Sequence, residues 1–231
     1  MLFVLLGVVT VGVGGCTIAR LTTIESSDFT SLPGKIYVDP AIEEEQQKKM
    51  LVALEKTKKR IANLIGRYSA TPIIIFVATD ENIKKYGVEV FPGKTYIAPW
   101  ETYVVVSTKI QSVDLLAHEL MHAQISSLVG YWAYMTELPA WFDEGLAMQL
   151  DNRQRYDIEN IEFSSQEILR IKSIESPSKF RTSSKEQDIK NYRAAKAAVK
   201  NLLEKIETPE LINRLEKMKQ GVEFSRVVED L

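Results

Sequence analysis

The chain has 231 residues, 45% of them hydrophobic and 26% charged, which suits one folded domain of generous size and leaves little room for two. Its 29 basic and 31 acidic residues give a formal net charge of −2, which argues against a nucleic-acid binder that must neutralise phosphates with a basic face. One cysteine excludes an internal disulfide framework and a cysteine-rich zinc finger.

The chain opens with a nearly unbroken apolar and small-residue run, MLFVLLGVVTVGVGG, followed by Cys16. The run is short for a spanning helix, which needs about 20 apolar residues, and has the length of a secretory signal's apolar region. Val13-Gly14-Gly15-Cys16 resembles the bacterial lipobox, in which the cysteine is lipidated and becomes the new N-terminus. No Lys or Arg precedes the run, so an uncleaved N-terminal anchor is the alternative. Both readings place the rest of the chain in the cell envelope, outside the cytoplasmic membrane and anchored to it. Residues 17–34, rich in Ser and Thr and ending Leu32-Pro33-Gly34, read as a tether, which leaves 35–231 as the folded domain.

Lys35 to Asp39 predicts a short strand. Asp39-Pro40 then opens a long helix, with Asp39 as N-cap and apolar residues at helical spacing from Met50 to Tyr68. Thr71–Thr79 is a β-branched run that reads as a buried strand, and Asp80–Gly87 as a short helix or turn. Thr95–Ala98 and Thr102–Ser107 form a hairpin around Pro99-Trp100-Glu101, and either strand could offer its edge to an extended peptide. Helices follow over about Ser112–Val129, stopped by Gly130, and Pro139–Asp151. A short helix is capped by Ser164 with Glu167, Ser176–Gln187 reads as loop, and helices return over Ile189–Lys205 and Pro209–Lys219. Sheet and helix come first and helices afterwards, so the expected class is α+β.

His118 and His122 are the only histidines, four residues apart in Leu115-Leu116-Ala117-His118-Glu119-Leu120-Met121-His122. On a helix they share one face, where two imidazoles can hold one metal ion, and Glu119 can serve a bound water as general base. The apolar neighbours mark this helix as buried. A catalytic zinc takes three protein ligands and leaves a position for water. With no third histidine and the cysteine in the export segment, the third ligand is an oxygen. Glu144, 22 residues past His122 on the next helix, is the best candidate; Glu137 and Asp143 are weaker ones, read as polar residues at a helix start.

HELMH followed by Trp141-Phe142-Asp143-Glu144-Gly145-Leu146-Ala147 resembles the HExxH and WxxEGxA pair of the gluzincins, the thermolysin-like and aminopeptidase-N-like zinc peptidases. The resemblance spans roughly residues 70–225. It implies a zincin-like fold, with a small N-terminal sheet, an active-site helix and a mainly helical C-terminal lobe. It also implies one Zn²⁺ per chain on His118, His122 and Glu144, with Glu119 as base. By the same resemblance, Asp151 orients a metal-binding histidine from behind, and Tyr192, leading Tyr192-Arg193-Ala194-Ala195-Lys196, stabilises the oxyanion. Ala194 and Ala195 stand where that family usually has Lys and Gly, and the glycine-led substrate-gripping strand of aminopeptidases is missing; Glu101 is the nearest acidic residue on a strand edge. Trp100, Tyr103 and the 174–187 loop are candidates for the cleft rim. The function expected is an exported, membrane-tethered zinc peptidase acting on a peptide or protein, with no nucleic-acid partner. The rivals are a non-catalytic metal-binding envelope lipoprotein and a zinc amidase acting on cell-wall peptides.

Overall fold

The structure, a computed structural model, describes residues 14–109 and 112–229. The apolar run up to Val13, and with it the export expectation, lies outside the described residues, and the Cys16 side chain is not described either. Among the described residues, no helix is long and apolar enough to cross a membrane.

Residues 17–34 are not a tether. Helix α1 (Gly14–Leu21) and a 3-10 turn at Ile24–Ser26 lead into strand β1 (Thr30–Leu32), which pairs antiparallel with β2 (Ile36–Val38). Apolar residues thread this Ser/Thr-rich stretch: Leu21, Ile24 and Phe29 are buried, and the Phe29 ring stands edge-on to Tyr86 at 5.6 Å. The hydroxyls that suggest a linker bond to carbonyls one turn back, as Thr22 does to Ala19 and Ser27 to Ile24.

Helix α2 (Glu44–Ile65) begins four residues later than Asp39 as N-cap suggests. Asp39 caps nothing there. Its buried carboxylate accepts from the backbone of Ala41, Ala78 and Thr79 and from the Asn82 amide, tying β2 to the turn after β3 (Ile73–Val77). Burial alone would raise its pKa; those donors outweigh burial and hold it below the ordinary carboxylate range. Helix α3 (Asp80–Lys85), capped by Thr79, and the hairpin of β4 (Gly93–Ile97) and β5 (Thr102–Ser107) complete this half.

The five strands lie in the order β1-β2-β3-β5-β4. β2, β3 and β5 are parallel, so α2 is a crossover between parallel strands; β1 and β4 are the antiparallel edges. Alternation along the strands divides the core. Ile74, Phe76, Val104 and Val106 face the helical body, whereas Ile73, Ile75, Val77, Tyr103 and Val105 face a second cluster with Leu21, Ile24 and Tyr86. Tyr103 is therefore a core residue and not part of a cleft rim.

The remainder is helical. Helix α4 (Val113–Val129) packs on the sheet and on α2, with the Arg60 guanidinium 2.7 Å from Asp114. Gln124 locks it to the strand side, its side-chain oxygen accepting from the amides of Ser69 and Ala70 at 2.8 and 2.9 Å. Then come α5 (Tyr131–Thr136), α6 (Ala140–Met148), α7 (Ser165–Lys172), α8 (Pro177–Phe180), α9 (Lys185–Leu203), α10 (Thr208–Glu216) and α11 (Phe224–Val227). The chain is thus α+β, with one five-stranded sheet and a mostly helical C-terminal part. The 176–187 stretch expected as loop contains α8, because Pro177 starts a turn that buries Phe180.

Candidate metal centre

Helix α4 is buried over nearly its whole length, which turns His118, Glu119 and His122 inward rather than to solvent. Helix α6 returns across α4 and is itself clamped on α9. A Cβ on Gly145 would stand 2.5 Å from the Ala195 carbonyl oxygen and 2.6 Å from Val199 Cγ2, so only glycine permits this crossing. The small residues Ala194, Ala195 and Ala198 of α9 are buried in that contact. This approach sets Glu144 over the two histidines and brings Tyr192 beside them, its ring centroid 6.2 Å from that of His118.

The three nearest donor atoms converge. His118 Nε2 and His122 Nε2 are 3.1 Å apart, and Glu144 Oε2 lies 3.3 Å from the first and 3.7 Å from the second. Tetrahedral zinc with ligands at about 2.0–2.1 Å would place them about 3.3 Å from one another. Glu144 Oε2 is buried and hydrogen-bonded to nothing else, an orphaned acceptor that a cation would satisfy. This buried group can hold a metal ion.

Glu119 is held from the edge strand. The Thr95 hydroxyl lies 2.8 Å from its Oε2 and 2.9 Å from its carbonyl oxygen. A Cβ on Gly93 would fall 2.8 Å from Glu119 Cγ and 3.1 Å from its Oε1, so the strand passes here only without a side chain. Of the two hairpin strands, β4 alone has a free edge, since β5 lies between β3 and β4.

The residue behind a ligand is Asp143, not Asp151. Asp143 Oδ2 sits 2.9 Å from His122 Nδ1 and accepts from the Tyr134 hydroxyl at 2.6 Å. Asp151 is fully buried, but Arg153 takes up its carboxylate and neither histidine touches it. Glu137 is exposed at the end of α5. Asp143, expected as an ordinary polar residue at a helix start, is instead half-buried against His122, with Tyr134 of α5 bonded to it.

The charges are interlocked. Burial pushes the His122 imidazolium toward losing its proton, but Asp143, then Glu144 and Glu119, outweigh this and raise its pKa to about 10. Burial pushes Glu144 up, yet the His118 ring nitrogen 3.3 Å away, followed by the charges of His122, His118 and Arg181, brings it down to about 2. A metal takes neutral imidazole, so binding expels the His122 proton. Affinity measured by chelator competition is therefore expected to rise about tenfold per pH unit from neutrality up to about pH 10, Glu144 being ionised throughout. A flat affinity over that range would mean that His122 binds no proton in the free protein.

Arg181 lies in the 174–187 segment expected at the cleft rim, though the sequence does not single it out. Its guanidinium stacks on Phe91, 4.2 Å from the ring centroid, and its charge reaches Tyr192, Glu144 and Glu119. No described carboxylate pairs with it. Buried Asn191 fixes this segment to α9, its amide donating to the Phe180 carbonyl at 2.7 Å while its oxygen accepts from Arg170 and Gln187, each at 3.0 Å. Burial, reinforced by the charge of Glu144, raises the Tyr192 pKa far above the working range and keeps its hydroxyl a donor. Trp100 stands on the hairpin turn near Ser126, Ser127 and Tyr131, toward the far end of α4. The structure thus brings together His118, Glu119, His122, Glu144 and Tyr192, and leaves Asp151 and Trp100 outside.

Replacing Asp143 with Asn is expected to lower metal affinity about 10–100-fold by removing the negative partner at Nδ1, with the fold retained. Competition with a chromogenic chelator checks this, and unchanged affinity would make the contact incidental. Comparison with protein-family models gives no match, and comparison with curated proteins gives none either.

Proposed function

We propose that the protein is an exported, membrane-tethered zinc peptidase of the gluzincin type with a zincin-like fold. One observation carries the reading: two imidazole nitrogens and an orphaned carboxylate oxygen converge at tetrahedral ligand spacing, with a further carboxylate, Glu119 of the same helix α4, held beside them by Thr95 of the adjacent edge strand. Two nitrogens and one oxygen are a donor set suited to catalytic zinc. His118, His122 and Glu144 hold the ion, which when bound supplies a Lewis acid that makes water acidic near neutral pH.

The remaining work falls to the chain. Glu119, aimed by Thr95, takes a proton from the attacking water and delivers it to the departing amine. Tyr192, kept protonated by burial, donates to the oxygen that gains charge at the scissile carbonyl. Arg181, without a carboxylate of its own, adds positive potential on the same side. Strand β4 offers unpaired backbone groups along which an extended peptide can lie.

The test is direct. Zinc-loaded protein should cleave an unstructured protein such as casein, lose that activity on chelation and regain it with zinc. Tight zinc binding with no cleavage of any peptide bond would replace this reading by a non-catalytic metal protein.

A further inference from the structure

Among the described residues, no linker precedes the folded body. Residues 1–13 carry no charge, and α1 begins at Gly14 already engaged with the sheet. Thr17 is buried, with its Oγ1 3.8 Å from where a Cβ of Gly87 would stand, and it shares a hydrogen bond with Tyr96 of β4. Arg20 donates to the Lys85 carbonyl at 3.0 Å. Of the described residues, those around α1 are therefore the ones that adjoin the apolar run in the chain.

That surface exposes two large apolar side chains. Three residues past Gly87, Val90 is 80% exposed, and next to it Phe91 is 41% exposed beneath Arg181. Just before this loop, at the corner where the Tyr96 hydroxyl donates to the Tyr86 carbonyl, stand Arg20, bonded to the Lys85 carbonyl, Lys85 with its ammonium 5.4 Å over the Tyr86 ring, and Lys94 with its ammonium 4.6 Å over the Tyr96 ring. Glu89 lies inside the apolar loop, and Asp28 joins Arg20 beside Tyr86. Two exposed apolar side chains amid cations match an interface of acyl chains below anionic headgroups. The same loop runs directly into Gly93 and Thr95, which touch Glu119.

We infer that the corner formed by α1, Val90, Phe91 and the surrounding basic side chains docks on an anionic membrane surface and holds the cleft at the bilayer. This rests on the membrane-tethered reading and deepens it: the substrates are polypeptide segments within reach of the membrane, such as the juxtamembrane part of another anchored protein.

The experiment uses the full chain in vesicles of phosphatidylcholine and phosphatidylglycerol that carry nitroxide-labelled lipid. An environment-sensitive fluorophore is placed on Val90→Cys or on Val52→Cys; Val52 is 55% exposed on α2, which packs on the other face of the sheet. Identically treated wild type gives the background from Cys16. Quenching at Val90 and not at Val52 supports the inference. Flotation with vesicles but no quenching at Val90, or equal quenching at both sites, overturns docking and leaves the anchor standing. Failure to float overturns the anchor and the docking together.

Val90→Glu is expected to cleave casein at the wild-type rate while its cleavage of a vesicle-tethered peptide falls about tenfold, the worth of one buried valine. Equal loss on both substrates would overturn the docking role. If wild type cleaves neither substrate, the peptidase reading fails by itself, and quenching still decides the docking.

Discussion

Glu119→Gln is expected to retain roughly one zinc per chain and to lose at least about a hundredfold in peptide hydrolysis, the low end for a general base. Gln keeps the shape and can still meet the Thr95 hydroxyl, so the loss isolates basicity from position. Gly93→Ala offers the converse. Its methyl would fall 2.8 Å from Glu119 Cγ, displacing a base that remains chemically intact. Activity should drop with zinc unchanged, and the pH profile should keep its shape. Zinc content and turnover measured on the same samples check both. Hydrolysis by Glu119→Gln at the wild-type rate would remove Glu119 from the chemistry.

Glu144→Ala is expected to weaken zinc binding by more than the roughly hundredfold that loss of a supporting residue costs, and to bring hydrolysis to background. Two imidazoles remain, and Asp143 cannot substitute because it lies on the Nδ1 side of His122, turned away from the ligand atoms. The metal-free protein should also change in a pH-dependent way. Glu144 ionises at about 2 in the folded chain against an ordinary 4.5, so its stabilising share is complete above about 4.5 and is lost as pH falls through about 2. Denaturant unfolding of the two metal-free proteins should therefore differ at neutral pH and converge in acid. Equal zinc affinity in wild type and Glu144→Ala would move the third ligand elsewhere.

What the sequence discloses about this site follows chain distance. His118, Glu119 and His122 are readable because helical periodicity alone puts them on one turn. Glu144 is readable because the absence of other donors forces an oxygen ligand. Asp143 escapes for a physical reason: its neighbour Tyr134 belongs to a six-residue helix, too short to announce itself, and only the turn it makes buries the pair. Arg181 escapes because its position depends on Asn191 bonding a carbonyl 11 residues away. Asp151 misleads because a spacing of seven on a helix is broken where α6 ends at Met148, after which Arg153 claims the carboxylate. The Ser/Thr content of 17–34 hides the three buried apolar residues Leu21, Ile24 and Phe29, and composition speaks louder than spacing there. Which hairpin strand forms the edge depends on long-range pairing that no local pattern encodes.

Leaving β4 unpaired on one side has a cost outside chemistry. A row of free backbone donors and acceptors is also a template on which a second copy can polymerise, and most proteins blunt such borders. At the opposite border the sheet ends on a three-residue strand with polar Thr30 and Ser31 exposed, a poor template. β4 is longer and cannot be shortened or bulged without dislodging Gly93 and Thr95 from Glu119. Its one charged residue, Lys94, is then the sole electrostatic gatekeeper the strand itself can carry. Neutralising it should favour fibrillar or oligomeric species at high concentration, so that shelf life in solution is tied to the same strand that borders the Glu119 carboxylate.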